Sequence, residues 1–529
     1  MAVLAGWLTG EQVPQEIIEQ TLTAMGEVLA HHGGTPARSI YPGAGLIAFA
    51  DTAYAQQQSK EPPVLDWVPD RRTLVYRRPL SGVHPLFYIE NWPAEGNLLF
   101  ASEIKALFAV GVPRRLHVAA LDALWHYGSI PAPWTALKDI HVVPAGSILR
   151  WQHAKTVVNA AGDFSLEAAR SSTDALEQLD ALLNQISHDH LPPHEQVVAL
   201  LSGSRASSLA AALSARQKGQ GFASAVLSTS ETLTTKGWKE VQAVADTYDL
   251  PLLAITAVDQ PTYWQAAVLG LEAPCCDSRP LAIHQLLHTI MAETGARVAI
   301  SGLGAQTLLG LSASQLAIGS ADNLLASYRQ RQNPHQALAV EQLWSPSTRQ
   351  LLQTTEGWED TLHARKLQRR AQQYPDSRQG LYYLDLHLRL ANELVYPFYQ
   401  LAIQERMAIR SPYLNAHIIT SLISISPLLS DDPETPNALD SLLQRYMPGL
   451  SSTPNVLPLT IPTTSIAHDN ELFELTLAPA AIQRRGIFDL EAVQDLQRRA
   501  AKDPAVIRAL IFVFTTQLFC HLFGIEEQA

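Results

Sequence analysis

After Gly162, short apolar runs alternate with stretches of helical spacing, and this alternation limits the fold more than any other feature of the chain. The runs are Val197–Leu201, Ala223–Ser228, Pro251–Thr256 and Ala296–Ser301; between them lie Ser207–Gln217, Trp238–Tyr248 and Leu281–Thr294. Strands separated by helices of about ten or more residues have to run parallel, and a parallel sheet is covered by helices on both faces. Just ahead, Ala175, Leu176, Leu179, Leu182 and Leu183 fall at helical spacing and predict a further helix over Asp174–Ile186. From about residue 320 the pattern is almost wholly helical, broken by the Pro/Ser/Thr-rich loop Ser451–Ser465. Before residue 160 the texture differs. Segments 46–52, 72–80, 84–91, 97–103 and 146–152 are apolar or alternating runs set off by Pro, Gly and Asn, which predict strands. Helices are expected at Gln15–His31 and Ala119–Tyr127, and the boundary between the two textures falls near 160–173.

In an open parallel sheet a ligand lies beyond the C-terminal ends of the strands. The first such end here is Leu201-Ser202-Gly203-Ser204-Arg205-Ala206-Ser207-Ser208, small and hydroxyl-rich, leading straight into a helix. Backbone N–H groups at a helix start and serine hydroxyls can cradle a phosphate; a plain turn with Ser capping the helix fits the same residues. No Gly-Lys-Ser/Thr follows, so this is not a Walker A loop. A second glycine turn, Ser301-Gly302-Leu303-Gly304-Ala305, ends another strand at the same edge and favours a nucleotide.

Composition narrows the function classes. The 529 residues carry 38 basic and 50 acidic side chains, a net charge of −12, and no basic run restores the footprint of a nucleic-acid binder. Only three cysteines occur, Cys275, Cys276 and Cys520, which form neither a disulfide framework nor a zinc motif and suit a reducing compartment. The opening MAVLAGWLTGEQ has no basic region and too short an apolar run for a signal peptide. The apolar stretch Ala509–Phe523 is shorter than a membrane span and is expected to be a buried core helix. A soluble, cytoplasmic protein without nucleic-acid or membrane partners is the expectation.

Specific motifs add a resemblance. Arg78-Pro79-Leu80 with Gly82 and His84-Pro85-Leu86-Phe87-Tyr88, then Phe100-Ala101-Ser102-Glu103-Ile104-Lys105-Ala106-Leu107, resemble segments of the class B asparagine synthetase family, which includes β-lactam synthetases and lasso-peptide macrolactam cyclases. Tyr127–Pro133 and Val143–Gly146 fit the end of the same domain. The loop at 200–208 resembles that family's L-S-G-G-x-D-S-S pyrophosphate loop, Glu272-Ala273-Pro274 with Asp277 its E-x-P-x-x-D, and Ser301–Gln306 its S-G-x-G-A-D-E. Ile409–Asn415 resembles V-R-x-P-F-L-D, and Arg485–Asp489 a late element. The resemblance implies an α/β protein of two domains. Residues 1–165 would form an Ntn-hydrolase-like αββα sandwich, and residues 166–529 a PP-loop (adenine nucleotide α-hydrolase-like) synthetase domain with a parallel sheet and a helical extension. It implies ATP and Mg²⁺ as cofactors, with Ser202, Gly203, Ser204, Ser207, Ser208, Ser301 and Gly302 at the nucleotide.

The chain also departs from the family. The glutaminase nucleophile would stand at Ala2, which has neither thiol nor hydroxyl, so any amide nitrogen would come from an amine on the substrate. Ala206 marks a lost magnesium ligand, and Gln306, followed by Thr307, keeps only an amide oxygen where the family has an acid. Residues 367–501 contain no lysine, although the family places a charge-stabilising lysine in a late loop, and Ala408 stands where a glutamate is usual. Arg205 is either a pyrophosphate ligand or a solvent-facing turn residue. Two functions follow from the resemblance. One is ATP-dependent amide-bond formation through an acyl-adenylate, most like a lasso-peptide cyclase, acting on a peptide or amino-acid-derived substrate with a precursor-processing protease as partner. The other is a catalytically silent relative that binds a peptide, nucleotide or partner enzyme. Three further features are expected to be structural: the His188-Asp189-His190 and His194-Glu195 cluster, for which metal binding is the alternative; Cys275-Cys276, for which redox activity is; and the acidic run Ser430–Glu434.

Overall fold

The computed structural model describes residues 2–50, 64–162, 164–168, 172–218, 221–229, 231–311, 323–332, 340–429, 437–450, 456–461, 471–500 and 503–525. The acidic run Ser430–Glu434 and most of the loop Ser451–Ser465 therefore lie outside the described residues.

Among the described residues, ten strands precede residue 161: β1 (Ala2–Leu8), β2 (Ala37–Tyr41), β3 (Ala44–Ala50), β4 (Leu65–Val68), β5 (Thr73–Arg77), β6 (Phe87–Glu90), β7 (Leu98–Ala101), β8 (His141–Val142), β9 (Ser147–Gln152) and β10 (Lys155–Ala160). They form an antiparallel six-stranded sheet, β2-β3-β1-β7-β6-β8, and a four-stranded one, β10-β9-β5-β4. Leu4, Leu8, Leu98 and Phe100 of the first sheet meet Leu74, Tyr76, Leu149 and Trp151 of the second in one dry layer. Each fully buried side chain of this size contributes about 1.5–3 kcal/mol. The other face of the six-stranded sheet packs against α1 (Gln15–Leu29), through Ile18, Leu22 and Met25. The free face of the four-stranded sheet shows Arg150 and Val157 to solvent. The layers are thus helix, sheet, sheet; the second outer helical layer expected of an αββα sandwich does not occur among the described residues.

The later strands are β11 (Val197–Leu200), β12 (Phe222–Ser228), β13 (Leu252–Thr256), β14 (Val298–Ile300) and β15 (Ala408–Arg410), all parallel in the order β13-β12-β11-β14-β15. Helices α2 (Ile104–Phe108), α3 (Val118–Tyr127), α4 (Ser172–Asp189), α5 (Arg205–Lys218), α6 (Lys236–Thr247), α7 (Pro261–Leu271) and α8 (Arg279–Thr294) fall close to the expected places, α2 and α7 being additions. The region after 320 is not wholly helical, because β15 lies within it and pairs with β14. Its three residues are too few to carry a period. Helix Pro504–Leu522 buries Phe512, Phe514 and Phe519 completely, as a core helix should. No helix among the described residues is long and apolar enough to cross a membrane.

The two halves share one core. Leu22 and Leu121 belong to the same buried cluster as Leu200, Leu287 and Phe512. Glu272, left-handed at the end of α7, reaches across: its carboxylate accepts the Ile104 N–H at 2.6 Å and the Lys105 N–H at 2.8 Å, capping the start of α2. Burial pushes this carboxyl up to about 7. Beside it, the buried Glu103 is held well below the usual carboxylate range; burial opposes this, but hydrogen bonds from His31 and His32 and the charge of Lys105 win.

Candidate functional site

A cavity of about 330 Å³ opens at the C-terminal ends of β11, β12 and β14. Its position follows from the strand order: the chain leaves β11 towards β12 and β13, then returns to the other side of β11 as β14. Such a reversal leaves a crevice at the strand ends.

The floor is the turn between β11 and α5. Gly203 has φ +70°, a left-handed conformation that lets the chain turn sharply into the helix. Ser204 is the helix N-cap: its Oγ accepts the Ser207 N–H at 3.2 Å, so the capping role open in the sequence is occupied. The Ser202 hydroxyl bonds Ser204 Oγ at 3.1 Å, and Ser204 Oγ bonds Ser207 Oγ at 3.0 Å. Three hydroxyls at a helix start therefore bond one another and can rotate towards an anion. Ser301, Gly302 and Gln306 complete the floor from the turn after β14. An ideal Cβ on Gly302 would lie 2.5 Å from Ser207 N and 2.6 Å from Ala206 C, so the two turns touch backbone to backbone.

Of the residues expected at a nucleotide, Ser202, Ser204, Ser207, Ser301 and Gly302 line this cavity, with Ala206 and Gln306. Gly203 and Ser208 do not line it: Gly203 makes the turn, and the buried Ser208 faces the core with its N–H bonded to Ser204 O. Arg205 fits neither expectation. Its side chain is 12 % exposed and pairs with Asp440 of the helix Ala438–Tyr446, away from the cavity. Arg410 is likewise turned away, donating to the His190 carbonyl.

Two contributions could not be read from the loops. The first is a wide helix, Asp385–Val395, whose i→i+5 bonding is a rare form that occurs frequently at functional sites. It carries Arg389 into the cavity wall. Nε of Arg389 is buried without a hydrogen-bond partner, and its ionic contact is Glu393 at 3.6 Å. Glu393 is also held by Arg279, Nη1 to Oε1 2.6 Å. The sequence signal is Asp385, Arg389 and Glu393, spaced four apart in a stretch whose only other polar residues are His387 and Asn392. The second is the segment Val456–Leu459, which forms an apolar side of the cavity and is tied down by Leu457 N–H to Ser202 O, 2.8 Å. It belongs to the described part, 456–461, of the late loop.

The lining fits a phosphate better than a metal. Hydroxyls, a helix start and a buried guanidinium nitrogen suit anionic oxygens. Mg²⁺ needs oxygen ligands, usually with one or two carboxylates, and no Asp or Glu occurs among the described residues that line the cavity. The residues present do not fit Mg²⁺.

Leu394, Phe398 and Leu459 also wall a second cavity of about 250 Å³ between the two halves, otherwise lined by residues such as Phe87, Ile130, Trp134 and Ile283. Cys275 and Cys276 line it but are poor nucleophiles, since burial pushes the Cys276 thiol up to about 12 and holds Cys275 well above the ordinary thiol range. Asp277 accepts from Arg279 (Nη2 to Oδ2 2.7 Å) at its rim. The His188–Glu195 cluster is not assembled: His188, Asp189 and His194 are exposed, whereas His190 is buried beneath Arg410.

A family model described as a glutamine amidotransferase domain matches residues 65–160, and one described as asparagine synthase matches residues 178–506. No curated protein matches the chain. Among solved structures, the U34-tRNA thiolase NcsA from Methanococcus maripaludis with its 4Fe-4S cluster is similar at 11 % identity, over 53 % of this chain and 81 % of that one, with a TM-score of 0.21.

Proposed function

The chain belongs to the asparagine synthase family, whose domain points to ATP-dependent amide ligation, and we propose that this member keeps the nucleotide cradle of that chemistry without its magnesium-assisted step. In this reading it is a silent relative that binds an adenine nucleotide at the β11/β14 crevice, within a PP-loop domain spanning residues 166–529. One observation carries the proposal: the cavity combines three serine hydroxyls, a helix start and Arg389 with no carboxylate in its described lining. Ser202, Ser204 and Ser207 would turn their hydroxyls to the phosphates, with the first turn of α5 at their backs. Arg389 would supply the positive charge, and Val456–Leu459 would exclude water. The first domain, residues 1–165, is read as an Ntn-like unit without its nucleophile, since Ala2 has neither thiol nor hydroxyl.

A second reading, favoured by the apolar cavity adjoining the cradle, is ATP-dependent amide formation on a peptide, most like a lasso-peptide macrolactam cyclase. The adjoining space could take a peptide side chain while an amine of the same peptide serves as nucleophile. A precursor-processing protease would be the partner of such an enzyme.

Calorimetry with ATP in the presence and absence of Mg²⁺, together with an assay for AMP release on candidate peptides, separates these. The first reading expects ATP to bind with an affinity indifferent to Mg²⁺ and no AMP; the variant Ala206→Asp, Gln306→Asp should make binding Mg²⁺-dependent. AMP release by the unmodified chain would replace the first reading by the second, and failure to bind ATP at all would remove the cradle from both.

A further inference from the structure

On α8, His284 and His288 stand one helical turn apart and face Glu405, which follows the helix Tyr396–Gln404. Spacing of i and i+4 puts both imidazoles on one face. Nδ1 of His284 lies 3.4 Å from one carboxylate oxygen of Glu405, and Nδ1 of His288 lies 3.1 Å from the other. The three ligand atoms fall within 4.8 Å of one another. The Tyr263 ring on α7 meets both imidazoles edge-on and backs the group.

Protein groups alone leave this arrangement incomplete. The His284 side chain is 8 % exposed, and its Nδ1 is buried without a hydrogen-bond partner although it is aimed at a carboxylate. Nδ1 of His288 already has its hydrogen bond to the carboxylate, whereas Nδ1 of His284, 3.4 Å from the other oxygen, is left without one. A cation bound between that nitrogen and Glu405 would give both a partner.

We propose that His284, His288 and Glu405 form a binding site for a divalent transition metal of the zinc class. Two imidazole nitrogens and a carboxylate are a ligand set suited to Zn²⁺, with bonds of about 2.0–2.2 Å. Ligand atoms in a tetrahedral shell of such bonds stand about 3.3 Å apart, and each imidazole nitrogen stands at a like distance, 3.4 and 3.1 Å, from a different oxygen of Glu405. The 49 % exposure of the His288 side chain leaves a fourth position open to water. The other His/Glu group, His31, His32 and Glu103, is different, because Lys105 already supplies a cation to its carboxylate. Bound at His284, His288 and Glu405, the metal would clip α8 to the helix Tyr396–Gln404. These two helices supply Ile283, Leu286 and Phe398 to the cavity walls.

The test uses the full chain, stripped with a chelator and titrated with Zn²⁺ against a chromophoric competitor, with Co²⁺ as a spectroscopic stand-in. The unmodified chain should bind Zn²⁺, rise in melting temperature, and show the absorption of four-coordinate Co²⁺. His288→Ala, at a half-exposed position that folding tolerates, should weaken this binding at least about tenfold and abolish the Co²⁺ spectrum; Glu405→Gln should do the same. His32→Ala should leave both unchanged. Equal Zn²⁺ affinity in the unmodified chain and His288→Ala, or no uptake by the unmodified chain, would overturn the proposal.

Discussion

Gly302→Ala tests whether the two turns form one rigid floor. The new Cβ would lie 2.5 Å from Ser207 N, 2.6 Å from Ala206 C and 2.9 Å from Ser207 Cα. All three are backbone atoms, so no side-chain rotation can relieve the contact. Restoring an ordinary separation of about 3.5 Å needs a displacement of roughly 1 Å between the β14 turn and the first turn of α5. Overpacking of this kind costs about 1–3 kcal/mol, and the displacement falls on the turn that holds the Ser202, Ser204 and Ser207 hydroxyls. Gly162→Ala is the control, because nothing lies within 4 Å of its Cβ position. Urea unfolding should show Gly302→Ala destabilised by about 1–3 kcal/mol, with Gly162→Ala within about 0.5 kcal/mol of the parent. Nucleotide affinity should fall in the first and hold in the second. If Gly302→Ala unfolds at the parent's urea midpoint and binds nucleotide equally, the floor is not the rigid seam described here.

Two further outcomes follow from side chains already placed. Arg389→Met keeps the stem and removes the charge; losing a charged hydrogen bond worth about 1.5–3 kcal/mol should weaken ATP binding roughly tenfold to a hundredfold, measured by calorimetry. Glu272 gives a pH dependence. Its folded pKa of about 7 lies above the ordinary 4.5, so the folded state binds the proton more tightly, and the associated stability is full below 4.5 and is lost as pH rises through about 7. Urea melts should therefore show the parent losing stability between about pH 5 and about pH 8 by a component that Glu272→Gln lacks; identical slopes in the two proteins would refute it.

Much of this fold was legible because its signals are local. The alternation after Gly162 gave the parallel strands and their helices, and the Ser/Gly turns gave the cavity floor, because a turn at a strand end is written in consecutive residues. What escaped depends on distant partners. β1 reads as a short apolar run, yet it lies inside the six-stranded sheet between β3 and β7; only those neighbours make it a strand. β15 is Ala408–Arg410, and its pairing to β14 is its sole definition. Arg389 belongs to the cavity through the path of a wide helix, and Arg205, which reads as either a pyrophosphate ligand or a solvent-facing turn residue, is drawn off by Asp440 more than two hundred residues away. Glu272 read as part of a motif in the second half, whereas its carboxylate holds a helix of the first.

That last contact bears on what evolution can discard. The first half has no nucleophile at Ala2, yet its α2 is seated on Glu272 and its apolar residues run into the same core as β11 and the helix Pro504–Leu522. Cutting it away would uncover that core and leave Glu272 without the two N–H donors it now serves. In a chain built like this the first half is part of the support of the second, whatever reaction either carries out.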